Sequence, residues 1–151
     1  TTRDIARQIL RHRSFSFQEF SQRYADPTKD LDFVIREARL QDTKNRQNSI
    51  DNMPLETAEE FKQKANMEYT MSYTLYEEML AAGVAKECAR EVLPLSSPTK
   101  LYMNGSIRSW LHYCDLRCAN GTQLEHKMIA DQVKTLLSSV VPSIHDAMWA
   151  D

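Results

Sequence analysis

The chain has 151 residues, enough for one domain with a real core, and its 19 Lys plus Arg against 21 Asp plus Glu give a formal net charge of -2. That balance argues against a general nucleic-acid binder, and no apolar run approaches membrane-spanning length, so neither nucleic acid nor membrane is an expected partner. With no signal-peptide pattern either, a cytoplasmic protein is the expectation.

Only three Gly and five Pro interrupt long amphipathic stretches, which predicts a helix-rich chain. Thr2 to Leu10 reads as a short helix with Asp4 in its first turn and Ile5, Ala6 and Ile9 facing inward. Arg11, His12 and Arg13 then fall at or just past its end. From Gln8 to Tyr24 the chain sets Arg11, His12, Arg13 and Arg23 around a single carboxylate, Glu19. A local cationic excess in an anionic protein calls for an anionic partner. Guanidinium forks match phosphate oxygens two at a time, and His12 adds a donor that can be neutral or charged near pH 7. Glu19, Ser21, Gln22 and Arg23 supply an acceptor, a hydroxyl, an amide and a second guanidinium, which suits a nucleotide. On composition alone, a solvated helix end beside a strand carrying Phe15, Phe17 and Phe20, or an RNA-binding patch, is also open.

Leu31, Phe33 and Ile35 alternate with polar or outward positions and predict a strand. Residues 39–52, rich in amides and carrying Arg39, Lys44 and Arg46, read as a solvated loop whose cations could reach a phosphate. Pro54 opens a long helix in which Leu55, Ala58, Phe61, Ala65, Tyr69, Ser72, Tyr76 and Met79 recur at core spacing, and Gly83 stops it. Val84 to Leu93 reads as a second short helix before Pro94. Thr99 to Ser106 suggests a strand entering a turn at Gly105, with Leu101 and Met103 on one face.

The next helix carries Arg108, His112 and Arg117. Arg108 and His112 share a face, whereas nine residues at about 100° each put Arg117 half a turn around from Arg108. Thr122 to Val140 is a last amphipathic helix, with Leu124, Met128, Ile129, Val133, Leu136 and Leu137 expected inward. His126 and His145 lack ligand-spaced partners and read as ordinary core or surface histidines. Cys88, Cys114 and Cys118 form no CxxC pair, so neither a disulfide framework nor a metal site is indicated, and buried free thiols are expected. The elements together predict an α+β class: a helix-rich single domain over 1–151 with a small, mostly antiparallel sheet.

Taken in order, RHRSFSFQEFSQRY, with Gln8 three positions ahead of Arg11, resembles the signature of the flavin-dependent thymidylate synthases: Arg-His-Arg, seven residues, Ser21, then Arg23-Tyr24. GVAKECAREVLPL and the stretch from Ser106 to Arg117 add independent support, so the similarity runs from Gln8 to about Glu125. The front of the family domain is expected to be missing. The resemblance implies reductive methylation of dUMP to dTMP, with FAD as cofactor, methylenetetrahydrofolate as carbon donor and NADPH as reductant, in a homotetramer with shared active sites. By the same resemblance Gln8, Arg11, Glu19, Ser21, Gln22, Arg23, Arg90 and Arg117 bind dUMP, with Arg90 reaching the phosphate in another subunit. Arg11, His12, Arg13, Glu19, Ser106, Arg108 and His112 meet FAD, although Ser106 and His112 stand where the family has Asn. Gln123 and Glu125 echo a family segment and are assigned structural duty only.

Uracil methylation needs an activated ring. No Cys lies in the Arg cluster, and Ser21 lacks an adjacent His and carboxylate relay, so Arg117 is the expected catalytic cation. No GxGxxG motif is present, so neither FAD nor NADPH is expected to bind in a Rossmann manner. A non-catalytic nucleotide- or RNA-binding module built on the Arg-His-Arg cluster is the alternative, and for it Arg90 and Arg117 would be incidental.

Overall fold

The structure, a computed structural model, describes residues 1–149. In chain order it contains α1 (Arg3–Ile9), β1 (Ser16–Glu19), α2 (Pro27–Asp30), β2 (Leu40–Gln41), β3 (Ser49–Ile50) and α3 (Leu55–Ala81). Then follow α4 (Lys86–Ala89) with a 3₁₀ turn at Arg90–Val92, β4 (Leu101–Asn104), α5 (Ile107–Arg117), α6 (Leu124–Val140) and α7 (Pro142–Trp149).

Helix α1 buries Ile5, Ala6 and Ile9 as its spacing predicts. Its start is tied down by backbone bonds from Arg3 N to Ser97 O (2.9 Å) and Asp4 N to Leu95 O (3.1 Å). The chain leaves α1 through the Arg-His-Arg turn into β1, which pairs antiparallel with β4, Ser16 opposite Asn104 and Glu19 opposite Leu101. A second antiparallel ribbon joins β2 to β3.

Two apolar clusters organise the rest. In the first, Phe15, Tyr113, Cys114, Ala130 and Leu137 bring the β1 approach, α5 and α6 together, with Trp110 edge-on to Phe15 at 4.8 Å between ring centroids. Gly105 is required here: a Cβ at that position would stand 2.5 Å from the Phe15 ring. In the second, Tyr69, Tyr73 and Tyr76 of α3 pack with Ala89 and Leu93. Gly83, at φ 85°, reverses the chain after α3 in the left-handed region open to glycine.

Several expectations are corrected. Residues 31–36 form no strand: Phe33 stacks on Tyr69 at 5.4 Å, Ile35 joins the second cluster and Arg36 is drawn to Asp4 at 2.7 Å, so the segment is held by side chains rather than by a ladder. The 39–52 loop contains the β2–β3 ribbon, closed by Asp42 accepting from the Lys44 and Asn45 amides. On α3 the stripe is buried only from Tyr69 onward; Leu55 is 85 % exposed and Phe61 half-exposed because the cluster with Ala89 and Leu93 meets the helix at Tyr69, Tyr73 and Tyr76. On α6 the inward line is His126, Ala130, Val133 and Leu137, while Leu124, Met128 and Leu136 face out. Val84 to Leu93 is one turn of α-helix and one of 3₁₀ rather than a continuous helix. Cys88 is exposed, Cys114 buried and Cys118 half-buried. Helices α2 and α7 carry no prior expectation.

No helix among the described residues is long and apolar enough to cross a membrane, and none of their His, Cys, Asp and Glu side chains cluster as a metal site.

Candidate functional site

Helix α1 ends at its C-cap, Leu10, and the chain turns so that His12 points inward, only 9 % exposed, with its backbone N–H on Ile9 O. The ring meets Tyr113 edge-on at 5.0 Å between centroids. Arg117, the last residue of α5, donates from Nε to His12 Nε2 at 2.9 Å. That bond requires a lone pair on Nε2, hence a neutral imidazole with its proton on Nδ1. Burial, then the charge of Arg117 and the nearby His112, lower the His12 pKa and favour that neutral form.

A second group forms where β1 ends. Arg3, Glu19, Phe20, Ser21, Gln22 and Arg90 line a pocket of about 230 Å³. Gln22 is buried at 4 % exposure; its Oε1 accepts from Arg3 at 2.9 Å and its Nε2 has no partner among the described residues. A buried donor left unpaired costs about 1–3 kcal/mol. Arg90 forms no ion pair with Glu87 or Glu91. Glu87 instead takes Arg23 at 3.1 Å on the surface. Glu19 accepts from Thr99 Oγ1 at 3.2 Å. Thus Glu19, Ser21, Gln22 and Arg90 line one pocket within a single chain, where the resemblance puts Arg90 at a phosphate in another subunit, and Arg23 is held by Glu87 nearby.

Arg11, Arg13, Arg108 and His112 are exposed and, among the described residues, have no carboxylate within ion-pair reach. Ser106 caps α5, its Oγ accepting from Ser109 N at 3.2 Å. Because α5 is unbroken from Ile107 to Arg117, Arg108 and Arg117 lie on opposite sides of it. No hydrogen bond brings Arg13, Arg108 or His112 to the Ser21 pocket. Three unpaired guanidinium groups and an imidazole are a donor set that fits a diphosphate-bearing cofactor.

Gln8 is half-buried and both ends of its amide are engaged: Nε2 donates to Gln123 Oε1 at 2.7 Å and Oε1 faces His126 Nδ1 at 3.4 Å. His126 is fully buried, with Nε2 at 3.1 Å from the Tyr113 hydroxyl, and burial, Arg117 and His12 push its pKa down to about 4. Sequence reading misses the place of His126 and Tyr113 in this site. The signal lies in the 126, 130, 133, 137 spacing, which puts a histidine at the head of the buried face of α6. Glu125 accepts from Gln123 at 3.0 Å and from Arg39 at 2.6 Å. Burial opposes its charge, yet bonds from Arg39, its own backbone N–H and Gln123 hold its pKa below the usual range. Arg39 is therefore an internal partner and not a solvated loop cation.

The thiols play no part in this geometry. Burial raises Cys114 to about 12 and Cys118 to about 11, so neither is a thiolate near neutrality.

The profile described as thymidylate synthase complementing protein matches residues 1–143. The chain is similar to the flavin-dependent thymidylate synthase of Synechocystis sp., 51 % identical over 148 residues that cover 98 % of this chain and 67 % of that protein. It is similar to the probable flavin-dependent thymidylate synthase of Paramecium bursaria Chlorella virus 1 at 49 % identity, covering 98 % of this chain and 68 % of the relative. Its fold superposes on the UMP/dUMP methylase PolB from Streptomyces cacaoi, crystallised with 5-Br dUMP, with a TM-score of 0.82 and 26 % identity over 97 % of this chain and 67 % of that one. The chain belongs to the thymidylate synthase complementing protein family.

Proposed function

We propose that this protein is a flavin-dependent thymidylate synthase that converts dUMP to dTMP, with methylenetetrahydrofolate as carbon donor and NADPH as the source of reducing equivalents for its FAD. The observation that carries this reading is the pocket in which Glu19, Ser21, the orphaned Gln22 amide and the unpaired Arg90 converge. The names of the relatives and the dUMP analogue held by PolB support it.

In this reading Arg90, Arg23 and Ser21 take the phosphate, while Gln22 and Glu19 offer a donor and an acceptor to the rest of the nucleotide. Gln8 and Arg11 complete the dUMP site. Arg117 is the catalytic cation: neutral His12 fixes its guanidinium through Nε and leaves the NH1 and NH2 edge free to meet a pyrimidine carbonyl where negative charge develops. Arg11, His12, Arg13, Glu19, Ser106, Arg108 and His112 would hold the flavin. When bound, FAD supplies the hydride chemistry that these side chains cannot. Since Arg108 and Arg117 face opposite ways from one helix, active sites shared between subunits of a homotetramer accommodate both. We place the reaction in the cytoplasm.

The RNA-binding alternative is less favoured, because the relatives are named flavin-dependent thymidylate synthases and the neighbouring fold is a UMP/dUMP methylase. Absorbance spectra of the purified protein with added FAD test the proposal. A bound-flavin spectrum that shifts on adding dUMP is expected. Retention of neither flavin nor dUMP would contradict it.

A further inference from the structure

A chain of hydrogen bonds runs from α5 through α6 and α1 to an internal ion pair, and its donor directions are fixed by one group. Glu125, paired with Arg39, can only accept, so Gln123 must turn its amide NH₂ toward it. The Gln123 carbonyl then faces Gln8 and takes a hydrogen from Gln8 Nε2. The Gln8 carbonyl therefore faces His126 Nδ1, which must carry the imidazole proton. His126 Nε2 is left as an acceptor, and the Tyr113 hydroxyl donates to it. Every donor from Tyr113 to Gln123 points toward the same carboxylate, and no member has a choice of orientation.

We infer that Glu125 is a positioning residue for Gln8: acting through Gln123, and locked from the other side by His126 and Tyr113, it sets which end of the Gln8 amide is presented, and so the hydrogen-bond pattern offered to the nucleotide base. This rests on the dUMP reading above. Gln8 retains one N–H and one carbonyl lone pair for a ligand, which matches the alternating donor and acceptor edge of a pyrimidine; a flipped amide would reverse the match. His126 is fully buried, so water cannot substitute for either neighbour. Its imidazole stays neutral down to about pH 4, which keeps the pattern intact across the working range.

Replacing the anchoring carboxylate by an amide, Glu125→Gln, keeps an acceptor for Arg39 but turns an NH₂ toward Gln123, so Gln123, Gln8 and the His126 tautomer all reverse without opening a cavity. Long-range nitrogen–proton NMR of the histidines in the full protein reads the tautomer directly, and dUMP titration reads the consequence. The expected results are a Nδ1-protonated His126 in the unaltered protein, a shift toward the Nε2-protonated form in Glu125→Gln, and about a tenfold loss of dUMP affinity. In a Gln8→Ala background the same Glu125→Gln change should cost nothing further, because the effect passes through Gln8. A purely structural role would cost affinity in both backgrounds, and that result overturns the assignment. A Nε2-protonated His126 in the unaltered protein overturns the chain itself, whatever dUMP does. If the tautomer is as expected but the unaltered protein binds no dUMP, the nucleotide reading fails and the positioning role with it.

Discussion

Arg117 donates from Nε to His12 Nε2 at 2.9 Å, so the end of α5 and the turn after α1 fix each other through an imidazole that must be neutral. His126 lies 6.3 Å from His12 between ring centroids and is neutral for the same reason, burial beside Arg117. Two buried neutral histidines make folding sensitive to mild acid.

The sign follows from proton counting. The folded-state pKa of His126, about 4, lies below the unfolded value of 6.5, so between them the unfolded chain binds more protons and stability rises with pH. The contribution is complete above about pH 6.5 and is lost as pH falls toward 4. From pH 7 to pH 5, where most carboxylates remain ionised in both states, His126 alone accounts for roughly 2 kcal/mol. Urea midpoints should drop over this interval, and the drop should shrink in His126→Asn. A midpoint that is flat from pH 7 to pH 5 would show that the buried histidine titrates normally.

Arg90 makes no ion pair with its acidic neighbours yet lines the Ser21 pocket. Arg90→Ala should leave the thermal midpoint nearly unchanged while weakening dUMP binding about ten- to a hundredfold, the range of about 1.5–3 kcal/mol for a charge-assisted contact. Calorimetric titration giving the unaltered affinity would remove Arg90 from the site.

Gly105 should tolerate no side chain. A methyl group 2.5 Å from the Phe15 ring forces a shift in a buried aromatic cluster, and overpacking of this kind costs about 1–3 kcal/mol. A Gly105→Ala variant with an unshifted urea midpoint would mean that Phe15 moves freely.

Helices α1 and α3 were legible because their signals are local: Asp4 and the Ile5/Ile9 spacing mark α1, and Pro54 and Gly83 bracket α3. The signature residues were legible because their types and order are specific. What escaped depended on contacts between distant segments. The alternation at residues 31–36 is that of a strand, but Arg36 is claimed by Asp4 and Phe33 by Tyr69, so no ladder forms. Leu55 and Phe61 keep core spacing on the part of α3 that lies outside the Tyr69, Tyr73 and Tyr76 cluster. His126 had no neighbour in sequence to mark it, because its partners Gln8 and Tyr113 come from two other helices.

Shared sites make a prediction of their own. Glu19→Ala and Arg117→Ala, each inactive alone, should regain part of the dTMP-forming activity when mixed under conditions where subunit exchange has been shown, since some sites then combine an intact Glu19 with an intact Arg117. Activity that stays at the level of either variant alone, with flavin still bound, would place each site within one subunit.

The most direct measurement is dTMP formation itself, assayed by chromatography with dUMP, methylenetetrahydrofolate, NADPH and FAD, in the unaltered protein and in a variant with Cys88, Cys114 and Cys118 all replaced by Ser. The account predicts dTMP in both, dependent on FAD, and its loss in Arg117→Ala. Product that forms without flavin, or that disappears with the three thiols while the fold and flavin binding survive, would contradict it.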